Sequence, residues 1–412
     1  MPSPLISTPY DDAFYQDPHP SYARLRHDAP VYAIPEEPGL FFVTTWALVR
    51  EVLRDPETFS NVMPAARRAV PPPEVADELA LLRGKGMPYT STLNGSDPPR
   101  HARYRRLVNR SFTPRALASM EPVVDEVANS LVQALPDGEC VDIMDALTIP
   151  LPVWAIMRIL GLADARKVAM RRWSDSATAS LGSLPTPERW LQVEHDMLEF
   201  QQVMTTELTS RRADPRDDLL TVLATAEDAS EPLTDAELVW LVRELMVAGN
   251  ETTTRALADT ILLLDGVPEA WDRIRDEPQY RAGVVEEGIR LASPAMGLWR
   301  KVTCDTELGG VRLSAGNSLF IAFGSANRDA GVFEEPDAFD PLRENVREHL
   351  AFGHGIHVCV GAGLARLELT SALRALAERV TDVSPVDRAA LRYGPSYALR
   401  GLTTLPVLVS CR

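Results

Sequence analysis

The sequence predicts a mainly α-helical chain with a small β region, an α+β fold. Three observations carry this. Helical periodicity dominates residues 115–265, short β-branched or aromatic segments bounded by glycine occur at 310–313 and 318–323, and no internal repeat or long flexible linker divides the chain. With 412 residues, 45% hydrophobic and 24% charged, the chain is long and apolar enough to bury a large core. One domain spanning residues 1–412 is the expectation.

Taken from the N-terminus, MPSPLISTPYDDAFYQDPHP lacks a basic stretch followed by an apolar one, so it reads as neither secretory signal nor anchor. No later run reaches the roughly 18 apolar residues that a membrane helix needs. A cytoplasmic protein with no membrane partner is expected. The 42 Lys and Arg against 58 Asp and Glu leave a net charge of −16, which disfavours nucleic acid. Cys140, Cys304, Cys359 and Cys411 form no CxxC pair, so neither a zinc site nor a disulfide framework is indicated.

Residues 100–115, RHARYRRLVNRSFTPR, hold six arginines and no acid. On a helix His101, Arg105, Val108 and Phe112 form one stripe suited to facing the core, while Arg103, Arg106 and Arg110 form a second facing outward. Taken alone, such a charged stripe is better explained as a solvated face.

Further on, Thr234-Asp235-Ala236-Glu237 is a capping box, and Gly266 with Pro268 marks a stop. These signals predict a helix of about 30 residues, roughly 45 Å long. Leu238, Trp240, Leu241, Leu245, Met246 and Val247 make its first half apolar on most sides, as in a helix crossing an interior. Ala248-Gly249-Asn250-Glu251-Thr252-Thr253-Thr254 then breaks the pattern with poor helix formers. Hydroxyls bonded one turn back would make this a structural kink. Alternatively, the polar notch opens against a cofactor.

Residues 352–361 read Phe-Gly-His-Gly-Ile-His-Val-Cys-Val-Gly, and Leu364, Leu367, Leu373, Leu376 and Ala377 continue at helical spacing. Cys359 therefore falls at a helix N-terminus, where unpaired N–H groups and the helix dipole favour the thiolate that ligates metal. The glycines at 353, 355 and 361 permit a tight loop close to a flat ligand. A lone cysteine commonly serves as a small buried hydrophobe; four constraints within ten residues argue for a ligand here.

FGHGIHVCVG resembles the haem-binding loop of soluble bacterial cytochromes P-450, in which the cysteine is the proximal iron ligand. Other landmarks of that family follow in order over roughly residues 90–400. AGNETT at 248–253 resembles the oxygen-activating groove, with Glu251 and Thr252 as its acid and alcohol, although Asn250 stands at a variable place. Glu287-Gly288-Ile289-Arg290 resembles the ExxR motif, to which Arg343 adds a third member; alone, Glu287 and Arg290 read better as a solvated surface pair. Gly363 departs from the proline often found there.

The resemblance implies a triangular, helix-rich prism with a smaller β-rich lobe around a buried haem b. It implies that Cys359 holds the iron, that His101, Arg105, Arg300 and His357 meet the propionates, and that Ala248, Gly249, Phe352 and Gly361 line the cofactor. The implied activity is monooxygenation (EC class 1.14) of a mid-sized, largely apolar substrate by hydroxylation or epoxidation. Electrons would come from NAD(P)H through a separate ferredoxin and ferredoxin reductase to a monomeric enzyme, with Arg103 and Arg106 bordering the docking face. Specificity is expected from the loop 61–93 with Leu93, from Leu245, from Ala295 to Trp299 including Leu298, and from Tyr397-Ala398-Leu399. A haem-binding sensor without catalysis is the competing class; a Glu251-Thr252 relay would serve no purpose in it.

Overall fold

The computed structural model describes residues 11–62, 70–179, 185–226 and 232–412; the part of the loop 61–93 between 63 and 69 lies outside them, as do residues 1–10. The helices are α1 (Asp12–Gln16), α2 (His19–Asp28), α3 (Trp46–Arg54), α4 (Pro73–Lys85), α5 (Arg100–Asn109), α6 (Pro114–Gln133), α7 (Pro150–Leu160), α8 (Lys167–Thr178), α9 (Pro187–Ala213), α10 (Leu219–Ala224), α11 (Asp235–Leu264), α12 (Ala270–Asp276), α13 (Pro278–Ala292), α14 (Phe323–Ala326) and α15 (Ala362–Arg379). The strands are β1 (Val31–Ala33), β2 (Leu40–Val43), β3 (Phe59–Ser60), β4 (Cys140–Asp142), β5 (Leu298–Val302), β6 (Thr306–Leu308), β7 (Val311–Leu313), β8 (Ser318–Ile321), β9 (Val380–Pro385) and β10 (Pro406–Cys411).

The described residues divide into two compact units, the first drawn from Met1–Pro64, Met120–Leu151 and Thr252–Arg412, the second from Ala65–Ser119 and Pro152–Glu251. Among the described residues every strand falls in the first and larger unit. This unit also holds the main core. Leu257 and Ile261 of α11, Ile289 of α13 and Leu369 and Leu373 of α15 pack with Val383 and Val407 of the three-stranded sheet β4-β10-β9. A five-stranded sheet, β1-β2-β8-β5-β3, forms a separate layer, with β8 buried along its whole length between parallel β2 and antiparallel β5. The strand expected over 318–323 stops at Ile321, beyond which the chain coils into α14 as Ala326 N–H returns to the Ala322 carbonyl at 2.9 Å.

In the second unit α4 and α9 pack through Val75, Leu79 and Trp190. Its α5 ends at Asn109 because Pro114 holds Thr113 extended; Arg110, expected on the helix, instead begins a 3-10 turn. The capping box forms at the start of α11: Thr234 N–H donates to Glu237 Oε2 at 2.9 Å and Glu237 N–H to Thr234 Oγ1 at 3.2 Å. No helix among the described residues is long and apolar enough to cross a membrane.

Candidate active site

The segment before α15 is shaped by backbone geometry that only glycine tolerates well. Gly353 and Gly355 have φ of 69° and 71°, and a Cβ on Gly355 would stand 2.4 Å from the Leu53 carbonyl oxygen. These turns bring Cys359 N–H onto the Phe352 carbonyl at 2.8 Å. Cys359 lies three residues before Ala362, the first of α15, and is exposed outside any disulfide. Its sulfur thus stands near the positive end of an 18-residue helix, with a Cβ on Gly361 only 3.9 Å away. Cys359 is a single soft donor, so a metal held there brings its other ligands with it, as haem iron does. The donor and the uncluttered glycine backbone beside it fit that group.

Phe352 is fixed from two sides. Its ring centroid lies 5.7 Å from that of His349, and the Arg366 guanidinium carbon sits 4.6 Å from the same ring. Both partners are held by Glu286, which accepts from Arg366 Nε at 2.5 Å and Nη2 at 3.0 Å and meets His349 Nε2 at 3.1 Å. Burial opposes ionisation of Glu286, yet its bonds to His349 and Arg366 outweigh this and hold the carboxyl down at about 2. Sequence reasoning missed this trio, whose members lie 63 and 80 residues apart.

Next to it, Glu287 and Arg290 are wholly buried and joined at 2.6 and 2.7 Å, which replaces the surface-pair alternative. Arg343 Nε donates to Glu287 Oε1 at 3.1 Å, and Arg290 also donates to the carbonyls of Asn327, Pro336 and Ala338. Burial works against the Glu287 charge, but Arg290 pulls its pKa below the ordinary carboxylate value.

Helix α11 runs unbroken through the Ala248–Thr254 segment. Ala248 is exposed and Glu251 and Thr252 are half-buried. The next two hydroxyls do not bond back along the helix as the kink reading requires. Thr254 Oγ1 donates to the Thr148 carbonyl at 3.0 Å, and Thr253 bonds Glu368 of α15. Glu368 is 1% exposed, and burial pushes its carboxyl up to about 8. It too was missed, although an acid on the Leu364-Glu368-Ala372 stripe was a usable signal.

Arg300 is buried on β5, its Nη1 donating to the Trp299 carbonyl at 2.7 Å, while His357 lies in the 3-10 turn before Cys359. Alternation along β5 puts Leu298 and Arg300 on one face and Trp299 on the other. The Trp299 ring joins Phe320 and Tyr397 at 5.0 and 5.9 Å. Trp299 and Tyr397, both expected at the substrate, thus share one aromatic cluster with Phe320. Ala398 accepts from Met296 N–H at 2.9 Å, and Ala295 pairs with Leu399.

In the second unit His101 and Arg105 stand one turn apart on α5. Burial first, and then the charge of Arg105, lower the His101 pKa. Leu93 and Leu245 are buried and Gly249 packs toward Ile156. Glu244 secures the Leu93 turn by accepting from Thr92 Oγ1 and Asn94 N–H, both at 2.5 Å, and burial raises its pKa.

Comparison with known proteins agrees with this chemistry. The family model for Cytochrome P450 matches residues 188–379. The chain is 36% identical to Cytochrome P450 107B1 of Saccharopolyspora erythraea over 97% of its length and 96% of the relative's. It is 32% identical to Linalool 8-monooxygenase of Pseudomonas putida, covering 96% of each. The solved structure of Cytochrome P450 CYP109Q5 from Chondromyces apiculatus superposes with a TM-score of 0.84 at 32% identity, covering 98% of both chains.

Proposed function

Since the chain belongs to the cytochrome P450 family of haem-binding monooxygenases, we propose that it is a haem b enzyme that oxidises a mid-sized, largely apolar organic substrate, with Cys359 as the iron ligand. The Cys359 loop carries the reading: an exposed cysteine at the head of α15, on a glycine-shaped turn that Glu286 braces through Phe352. Haem, when bound, supplies the activation of O₂ and the insertion of one oxygen atom.

The protein's own groups take the remaining tasks. Arg300 and His357, with His101 and Arg105, hold the propionates by charge-assisted hydrogen bonds. Ala248, Gly249, Phe352 and Gly361 shape the walls for a flat group. Thr252 and Glu251 hold protons on α11 and pass them into the groove beside them. Leu93, Leu245, Ala295, Leu298, Trp299, Tyr397 and Ala398 bound the substrate, hydroxylation or epoxidation being its fate. The substrate class is supported by these apolar side chains and by the linalool in the name of the Pseudomonas relative. We assign electron supply to NAD(P)H through a ferredoxin and its reductase, the working unit to a cytoplasmic monomer, and residues 1–412 to one functional domain. The test is the reduced, CO-bound absorption spectrum: Cys359→His and Cys359→Ala should lose the thiolate-type Soret band that the parent protein displays. Retention of that band in either variant refutes the assignment.

A further inference from the structure

The hairpin from Tyr393 to Leu402 is tied to α11 by side chains that the haem-thiolate chemistry leaves without a task. The hairpin itself is slight: Tyr393 pairs with Leu402, Gly394 N–H donates to the Gly401 carbonyl at 3.0 Å, and Leu399 N–H donates to Ser396 Oγ at 3.0 Å. Its position depends on outside ties. Arg255 Nη1 donates to the Leu399 carbonyl at 2.9 Å, and a Cβ on Gly401 would come 2.3 Å from Arg255 Cγ, so the arginine stem lies directly on the hairpin backbone. One turn later on α11, Asp259 Oδ1 accepts from Tyr393 Oη at 3.3 Å. From the other side the Gln16 amide brackets Tyr393, donating to its carbonyl at 3.0 Å and accepting its N–H at 2.9 Å. Arg400 caps the Tyr393 ring at 3.3 Å and donates to the Gln16 carbonyl at 2.9 Å.

Two features set Arg255 and Asp259 apart from ordinary packing. Asp259 is buried with Oδ2 lacking a hydrogen-bond partner, an arrangement that apolar packing would make cheaper. Both also share the α11 face of Thr252, at three and seven residues beyond it. A single rigid helix therefore carries the proposed proton-handling hydroxyl and side-chain ties to Tyr393 and Leu399, which add to the backbone bonds from Met296 to Ala398 and from Arg400 to Pro294.

We propose that Arg255 and Asp259 are positioning residues that set how the 393–402 hairpin stands against the Thr252 face of α11, and so determine how bulky an apolar ligand is accepted there. This rests on the reading that the hairpin borders the substrate. The experiment uses the haem-loaded protein with Arg255→Met, which keeps the stem but loses the bond to Leu399, and Tyr393→Phe, which loses the bond to Asp259. Backbone hydrogen exchange over 393–402 should accelerate by about tenfold in each. Spectral titration should show imidazole affinity retained and clotrimazole affinity weakened by about fivefold, because the loosened hairpin withdraws apolar contact from the large azole alone. Asp259→Asn, which can still accept from Tyr393, should stay close to the parent protein in both measurements. Unchanged exchange in Arg255→Met and Tyr393→Phe overturns the clamp. Accelerated exchange with an unaltered clotrimazole-to-imidazole ratio overturns its effect on ligand size. A parent protein without a thiolate-type Soret band refutes the haem-thiolate reading separately, since exchange still judges the clamp.

Discussion

Replacing Glu368 by glutamine should stabilise the protein by an amount that grows with pH. Glu368 is enclosed between α15 and Thr253 of α11, and its Oε2 has no hydrogen-bond partner. Burial therefore moves its pKa from the ordinary 4.5 to about 8, the Thr253 bond opposing only weakly. The folded protein keeps this proton across a range where the unfolded chain releases it, so stability falls as pH rises from 4.5 towards 8 and levels off above. Linkage gives a penalty of about 1 kcal/mol at pH 5, about 3 at pH 7 and nearly 5 above pH 8. Glutamine fills the same volume, can still bond Thr253 and carries no proton to lose. Urea unfolding of the parent and Glu368→Gln proteins, followed by circular dichroism at matched haem content from pH 5 to 9, should show midpoints that diverge with pH. Parallel curves would refute the reasoning, since they would mean that Glu368 ionises in the folded state as readily as in the unfolded chain.

Three further outcomes are expected. Arg290→Met removes the main partner of the buried Glu287 carboxylate and strands the Asn327 and Pro336 carbonyls, which should cost about 3–5 kcal/mol in urea unfolding and lower the yield of haem-loaded protein. Thr252→Val should lower product and raise hydrogen peroxide per reduced cofactor consumed, whereas unchanged coupling would move the proton path elsewhere. On α5, where Arg106 is exposed and Arg103 half-buried, Arg103→Glu with Arg106→Glu should slow reduction by ferredoxin at low ionic strength in stopped-flow traces and leave substrate-binding spectra intact.

What the sequence revealed and what it hid divide by the range of the interaction. The capping box of α11, the glycine turns around Cys359 and the three-residue spacing of Glu287 and Arg290 are local patterns, set by backbone geometry within a few residues. They were readable for that reason. The Glu286–His349–Arg366 trio and the Arg255–Leu399 bond join segments that only tertiary packing brings together. The hydroxyls at 253 and 254 were legible as unusual but not in their use, because their partners, Glu368 and the Thr148 carbonyl, lie on other elements. The contacts that Trp299 and Tyr397 make with the Phe320 ring were likewise hidden, because Phe320 lies on a neighbouring strand and Tyr397 about a hundred residues beyond Trp299 along the chain.

Four buried acids of the first unit fall into two kinds, and directly bonded cationic partners explain the difference. Glu286 and Glu287 sit on adjacent positions of α13, about 100° apart around the helix, so each faces a different partner set. Both have cationic donors on their oxygens, and both are held ionised despite burial. Glu368 and Asp259 each keep one oxygen without a donor, and burial raises them to about 8 and about 6. The charge-satisfied pair anchors the backbone that presents Phe352 and, through its carbonyl, Cys359. Because those two carboxylates titrate far below neutrality, the geometry around the sulfur should hold across the pH range in which Glu368 and Asp259 change state. A thiolate-type Soret maximum that moved between pH 6 and 8 in step with the unfolding midpoints would contradict this separation.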